Sequence, residues 1–338
     1  MRWLAIICGI AAAVSVVAYL FVDQTRPDLP PLLPHSRKVA PVDGGQSRHW
    51  WLNARDLLVL NPPNATRPGF NRIPLDKGEG TRLTAISTLF AASAGVADSV
   101  RISPTGKWVL WTARDNSIHV ATVDGSKHYR VPQTGPTYNV WNNDESGWYV
   151  LKPANDIIDH VERHDLSAPM KTARWAPLAQ PIPHDPRHVM MDCIGITDDS
   201  KFVVALLQYN ARLGFLADFG VIPLVANPAT VNHIQLQAPY VARTGDLTTA
   251  VGAYKVVWRL DIVLPRPQTL HDLGLQGSPQ PSVGLWVVDR QTNQTVPLGY
   301  VDVLSHNPGD GPHDIRIAPD GSRVSFIYRN AIYTVPAT

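Results

Sequence analysis

At 338 residues and 37.1 kDa the chain can bury a sizeable core, which excludes a disulfide-stapled miniprotein, and its 44% hydrophobic content excludes a disordered one. With 30 Lys+Arg against 28 Asp+Glu the formal charge is only +2, and charged residues make up 17%, so a broad basic nucleic-acid surface is disfavoured. The carboxylates are lopsided, since Glu79, Glu145 and Glu162 are the only glutamates; aspartate favours turns over helices, and with 30 Pro and 23 Gly it speaks against an all-helical protein.

The chain begins with an uncharged apolar run, Trp3 to Val22, between Arg2 and Asp23. As a helix it spans about 30 Å, the thickness of a hydrocarbon core. The small-x-small pattern of a signal-peptide cleavage site is weak here, because Val16-x-Ala18 is followed by further apolar residues. The expectation is a retained membrane anchor, or uncleaved signal, over residues 1–22, with a cleaved signal as the alternative and the bulk of the chain outside the cytoplasm. Pro27, Pro30, Pro31, Pro34 and Pro41 then point to a semi-rigid polyproline spacer over 23–45; the alternative is a strap ordered against the domain that follows. Cys193, in the apolar CIGIT, reads as a buried strand residue and not as a nucleophile.

Internal similarity organises the remainder. Residues 100–112, VRISPTGKWVLWT, align without a gap on 315–328, IRIAPDGSRVSFIY, each a short strand, a turn around Gly106 or Gly321, and an apolar second strand. Further strands follow at 117–125 and 331–336, and looser copies occur at 194–207, with Asp198-Asp199-Ser200 at the turn, and at 138–153. Residues 54–75 and 285–301 look like the back halves of two more units, the latter with 253–263 as inner partner. A period of roughly 40–55 residues is the size of one four-stranded propeller blade. The expected fold is therefore all-β: a β-propeller of about six four-stranded blades over 46–338, preceded by one N-terminal transmembrane helix. The unbroken apolar second strands fit sheets covered on both faces. Because the last unit stops after its third strand, a strand from 47–60 or 70–76 is expected to close the ring. Gly106 and Gly321 are expected in matching turns with positive φ.

The strand, Pro-Asp-Gly, strand pattern of RIAPDGSRVSF, echoed by RISPTGKWVLW, resembles the WD40-like, TolB-type β-propeller repeat family. That resemblance implies a structural repeat whose propeller binds protein or peptide partners over one face and the channel mouth. The chain departs from the family in lacking a separate amino-terminal α/β domain, so the partner does not carry over.

No Gly-x-Ser-x-Gly, His-Glu-x-x-His or phosphate-binding Gly-rich loop is present, and no cofactor, catalytic residue or metal ligand is assigned. The dipeptide His-Asp nevertheless occurs at 164–165, 184–185, 271–272 and 313–314, where chance placement would give about one. His184, Asp185, His188, His271, Asp272, His313 and Asp314 are thus candidate binding residues at the channel mouth and in loops, 264–282 being the longest loop. Imidazole beside carboxylate suits a metal or an acid/base pair, and equally suits turn capping. His160 and His164 have helical metal-pair spacing, yet their segment reads as well as a strand, which would hold them too far apart. Two functions follow: a membrane-anchored extracytoplasmic module that binds a protein or peptide of the envelope, without nucleic acid, or a metal-dependent, lactonase-like propeller hydrolase.

Overall fold

The computed structural model describes residues 30–43, 46–142, 144–152, 157–169, 172–183, 189–196, 202–211, 214–223, 233–234, 245–251, 255–262, 282–289, 294–302 and 311–337. Residues 3–22 lie outside these, and among the described residues no helix is long and apolar enough to cross a membrane.

The described chain is mostly strand. After a short helix α1 (Leu32–His35) and strand β1 (Arg37–Pro41), a first sheet forms from β2 (Arg48–Asn53), β3 (Asp56–Asn61), β4 (Gly69–Pro74) and β5 (Thr81–Arg82). Helix α2 (Thr84–Ala92) leads to a second sheet, β6 (Arg101–Ile102), β7 (Trp108–Thr112), β8 (Ile118–Thr122) and β9 (His128–Val131). The third is β10 (Tyr138–Trp141), β11 (Gly147–Leu151), β12 (Ile157–Asp165) and β13 (Thr172–Pro183). The fourth is β14 (Val189–Ile196), β15 (Phe202–Ala211), β16 (Gly214–Pro223) and β17 (His233–Ile234). The fifth is β18 (Gly245–Val251), β19 (Lys255–Ile262), β20 (Ser282–Asp289) and β21 (Gln294–Asp302). The sixth joins β22 (His313–Ile317), β23 (Arg323–Tyr328) and β24 (Ala331–Pro336) to β1. Side chains are described chiefly in the first three sheets and the last.

The arrangement is propeller-like. The first strand of each sheet touches the first strand of the next, β2 with β6, β6 with β10, β10 with β14, β14 with β18 and β18 with β22, and β22 meets β2 again. Hydrophobic cores lie between sheets. On β7 and β8, Val109, Trp111 and Ala121 pack with the first sheet's Leu58, Leu60 and Phe70, whereas Leu110, Ile118 and Val120 pack with Trp141, Trp148 and Val150 of the third. Side chains alternate across a strand, so a strand covered on both faces must be apolar at consecutive positions. That is the physical content of the unbroken WVLW.

The turns follow the aspartate bias. In Asp115-Asn116-Ser117, Asp124-Gly125-Ser126, Asp144-Glu145-Ser146 and Asp320-Gly321-Ser322, the carboxylate accepts the backbone N–H of the serine two residues on, at 2.9–3.0 Å. The middle residue is left-handed each time, with φ of 66°, 74°, 56° and 69°. Gly106, at 73°, matches Gly321 as expected, and each N–H closes its turn on the carbonyl three residues back. Glu145 holds the same place in the third sheet, and its carboxylate accepts the Thr105 hydroxyl at 2.7 Å and the Thr105 N–H, tying the turns of two sheets together.

Ring closure differs from the expectation. The closing strand is β1, from the Pro-rich segment, and not 47–60 or 70–76; those residues build β2, β3 and β4 of the first sheet. Residues 37–41 can do this because Lys38, Val39 and Ala40 carry backbone donors, and Pro41 sits at the strand end on an outer edge, where a missing N–H costs no ladder bond. The segment before it is also tied down. Pro30 accepts the Tyr300 N–H at 2.9 Å, Pro31 bridges Tyr300, and Leu32 is fully buried among Val283, Leu285, Leu298, Ile315 and Phe326. Gly299, at φ 136°, makes room, since a Cβ there would meet Pro30 O at 2.6 Å. Residues 30–41 are thus an ordered strap, and the expected polyproline spacer does not extend through them.

Two truncations measure the strap. A chain starting at residue 30 should unfold in one cooperative transition, whereas one starting at 46 should lose stability or aggregate through the bared β24 edge, read by urea denaturation. Leu32→Ala in the longer chain should cost about 2–5 kcal/mol.

Candidate functional site

His313 and Asp314 open β22, the first strand of the sixth sheet, beside β2. Asp314 has φ 47°, which turns its carboxylate across to the first sheet. One oxygen accepts both the backbone N–H of His49, at 2.5 Å, and its ring Nδ1–H, at 3.0 Å; the other accepts Arg316 at 2.9 Å. Burial would raise the Asp314 pKa, but the Arg316 charge and the His49 donors outweigh it and hold the group well below the usual carboxylate range. With Nδ1 donating, His49 Nε2 accepts the Ser325 hydroxyl at 2.7 Å. The Arg316 guanidinium lies 5.8 Å from the Trp50 ring centre. His313 turns inward, Nδ1 donating to Gly311 O at 3.2 Å.

Asp314, His49 and Ser325 stand in the order of a hydrolytic triad. The geometry alone would let His49 take the serine proton. Exposure decides against that use: His49 and Ser325 are both 0% exposed, so no carbonyl can reach the hydroxyl. The relay instead joins the two sheets that the chain's ends must bring together.

Two more imidazole clusters lie in the second and third sheets. His119 and Trp111 face each other across β8 and β7 with ring centres 5.4 Å apart, and His119 Nδ1 is 2.9 Å from His128 Nε2 on β9. Ser117 links His119 to Asp115, which Arg130 also holds. Burial, then the neighbouring His128 and Arg130, lowers the His119 pKa to about 4; burial lowers that of His128 too. In the third sheet His164 stacks on its cross-strand partner Trp148 at 5.0 Å and lies 3.4 Å from the buried Glu162, which pairs with Lys152 at 2.6 Å.

Of the sequence candidates, His313 and Asp314 open β22, and the Asp314 carboxylate is taken up by His49 and Arg316. His184, Asp185, His188, His271 and Asp272 lie outside the described residues, as does the loop 264–282 apart from Ser282. His160 and His164 fall on strand β12, so the helical spacing does not apply. Among the described residues no three His, Cys, Asp or Glu side chains converge where they could hold a metal ion. Sequence reading missed His49 and Ser325, which lie 265 and 11 residues from Asp314 and carry no motif.

No protein-family profile and no curated protein matches the chain. Similar solved structures include oligogalacturonate lyase from Vibrio parahaemolyticus, at 9% identity and TM-score 0.47, covering 88% of this chain and 93% of that one. The β-propeller domain of the Trilobed protease from Pyrococcus furiosus matches at 10% identity and TM-score 0.40, over 86% and 78% of the two chains. U3-55K matches at 10% identity and TM-score 0.46, over 90% and 99%. These likenesses concern the fold alone.

Two measurements test the polar networks. Asp314→Ala strands Arg316 and the His49 donors in the interior and should cost about 3–5 kcal/mol, against about 1 kcal/mol for Ser325→Ala, by chemical denaturation. The His119 pKa is lower folded than unfolded, so the unfolded chain binds the extra proton, and stability should fall as pH drops from 6.5 to about 4. His119→Gln should make that segment of the stability profile shallower, His128 keeping its own share, while leaving the fall below pH 4, which belongs to the turn aspartates.

Proposed function

We propose that this chain is a non-enzymatic binding module of the cell envelope: a propeller tethered through residues 3–22, held outside the cytoplasm, that presents one face of loops to a protein or peptide. The observation that carries the reading is where the described polar chemistry goes. Asp314, His49, Ser325 and Arg316 are spent on joining sheets, and the Asp-x-Ser carboxylates on their own turns. Where these described groups are taken up within the ring, the exposed hairpins remain for recognition. The TolB-type form of the repeat belongs to the same proposal and is supported by the matching turns at Gly106 and Gly321.

Antiparallel hairpins sort the exposed surface into two faces. Thr105 and Ser126 lie at turns on one, Asn64 and Arg329 at turns on the other. A photo-crosslinking amino acid placed at each of the four in the full chain should give a discrete adduct in native membranes from one pair only. Equal labelling from both faces, or none, together with stoichiometric Zn²⁺ or Ca²⁺ in the purified protein that His184→Ala removes, would instead assign a metal-dependent hydrolase. For the tether, the protein should remain with membranes through high-salt and carbonate washes; a mature chain beginning at Tyr19 and fractionating as soluble would mark the segment as a signal peptide.

A further inference from the structure

The strap changes how far the propeller can stand from a membrane. A free spacer over 23–45 could reach about 80 Å at full extension. Pro30 is already fixed to β21, so only residues 23–29 lie between the apolar run and the folded domain, and seven residues cover at most about 25 Å. The point of attachment is the rim where the fifth and sixth sheets meet, since Leu32 is buried between them and β1 is the outermost strand of the sixth.

Among the described residues this rim carries two unpaired cations. His35, Arg37 and Lys38 are exposed, and Arg37 and Lys38 form no ion pair among the described residues. Asp43, two residues beyond β1, accepts the Thr66 backbone N–H at 3.0 Å. No described strand pairs with the outer edge of β1, and strand-edge cations by themselves deter edge-to-edge association. Held close to a bilayer, the same two cations meet phosphate head groups at high effective concentration.

We propose that the propeller lies on its rim against the membrane surface, with the β1 edge as the contact and Arg37 and Lys38 bound to lipid phosphates. This rests on the anchoring of residues 3–22. Both faces of the ring then open sideways, parallel to the bilayer, and a partner reaches either of them along the membrane surface.

The test uses the full chain reconstituted into phosphatidylcholine vesicles with or without phosphatidylglycerol, the head groups carrying a fluorescence quencher. A fluorescent amino acid replaces His35 in one sample and Ser167, exposed on the third sheet, in another. Quenching should be several-fold stronger at 35 than at 167, and Arg37→Glu with Lys38→Glu should cut it about twofold or more in the phosphatidylglycerol vesicles, as should raised salt. Flotation read in parallel separates the two ideas. Protein that fails to float with vesicles after carbonate overturns the anchor and the contact together. Protein that floats with equal quenching at both positions overturns the rim contact alone. Strong quenching at 35 that neither charge reversal nor salt alters overturns the phosphate pairing.

Discussion

A propeller is a ring built from an open chain, and the rest of this structure depends on how its two ends are joined. The last three strands leave the outer edge of β24 bare, and β1, drawn from the opposite end of the chain, supplies the missing partner. Backbone ladder bonds make that join, and they are supported at two depths. Outside, Leu32 fills a core shared by the fifth and sixth sheets. Inside, Asp314 reaches from β22 to the backbone and ring of His49 on β2.

The inner contact owes its strength to burial. A carboxylate that has left water needs its lone pairs occupied, and Asp314 has three donors from two sheets. Each donor is directional, so the network specifies one register between first and last sheets, which apolar packing alone would leave looser. Catalytic geometry and structural geometry coincide here. An acid, an imidazole and a hydroxyl in a row form a charge-oriented relay wherever they are placed, and solvent access determines whether it does chemistry. In this interior it holds sheets together.

The outer polar groups work on a shorter range. Each Asp-x-Ser turn bonds within itself, leaves its middle residue left-handed, and sends the chain back antiparallel. Where Glu145 replaces glycine at that position, its carboxylate holds Thr105 of the neighbouring sheet. The side chain thus gains a contact that offsets the left-handed backbone cost a glycine would avoid.

What the sequence determined by itself was periodic or local. Strands 54–75, the hairpin 285–301 with its partner 253–263, and the repeats at 102, 140 and 196 could be read because strand alternation and turn chemistry act over a few residues. The positive φ at Gly106 and Gly321 followed for the same reason. Helix α2 was not legible, because it interrupts a strand pattern without a capping residue; its place is fixed by Ile86, Leu89 and Phe90 packing into the core between the first two sheets. The partner of Asp314 and the closing strand were decided only by tertiary structure. His49 and Asp314 are 265 residues apart, and residues 37–41 become a strand because the unfinished edge of β24 offers them hydrogen bonds that their own proline-rich context does not. Local propensity describes what a segment prefers when alone, and a ring closes on what its two ends can do for each other.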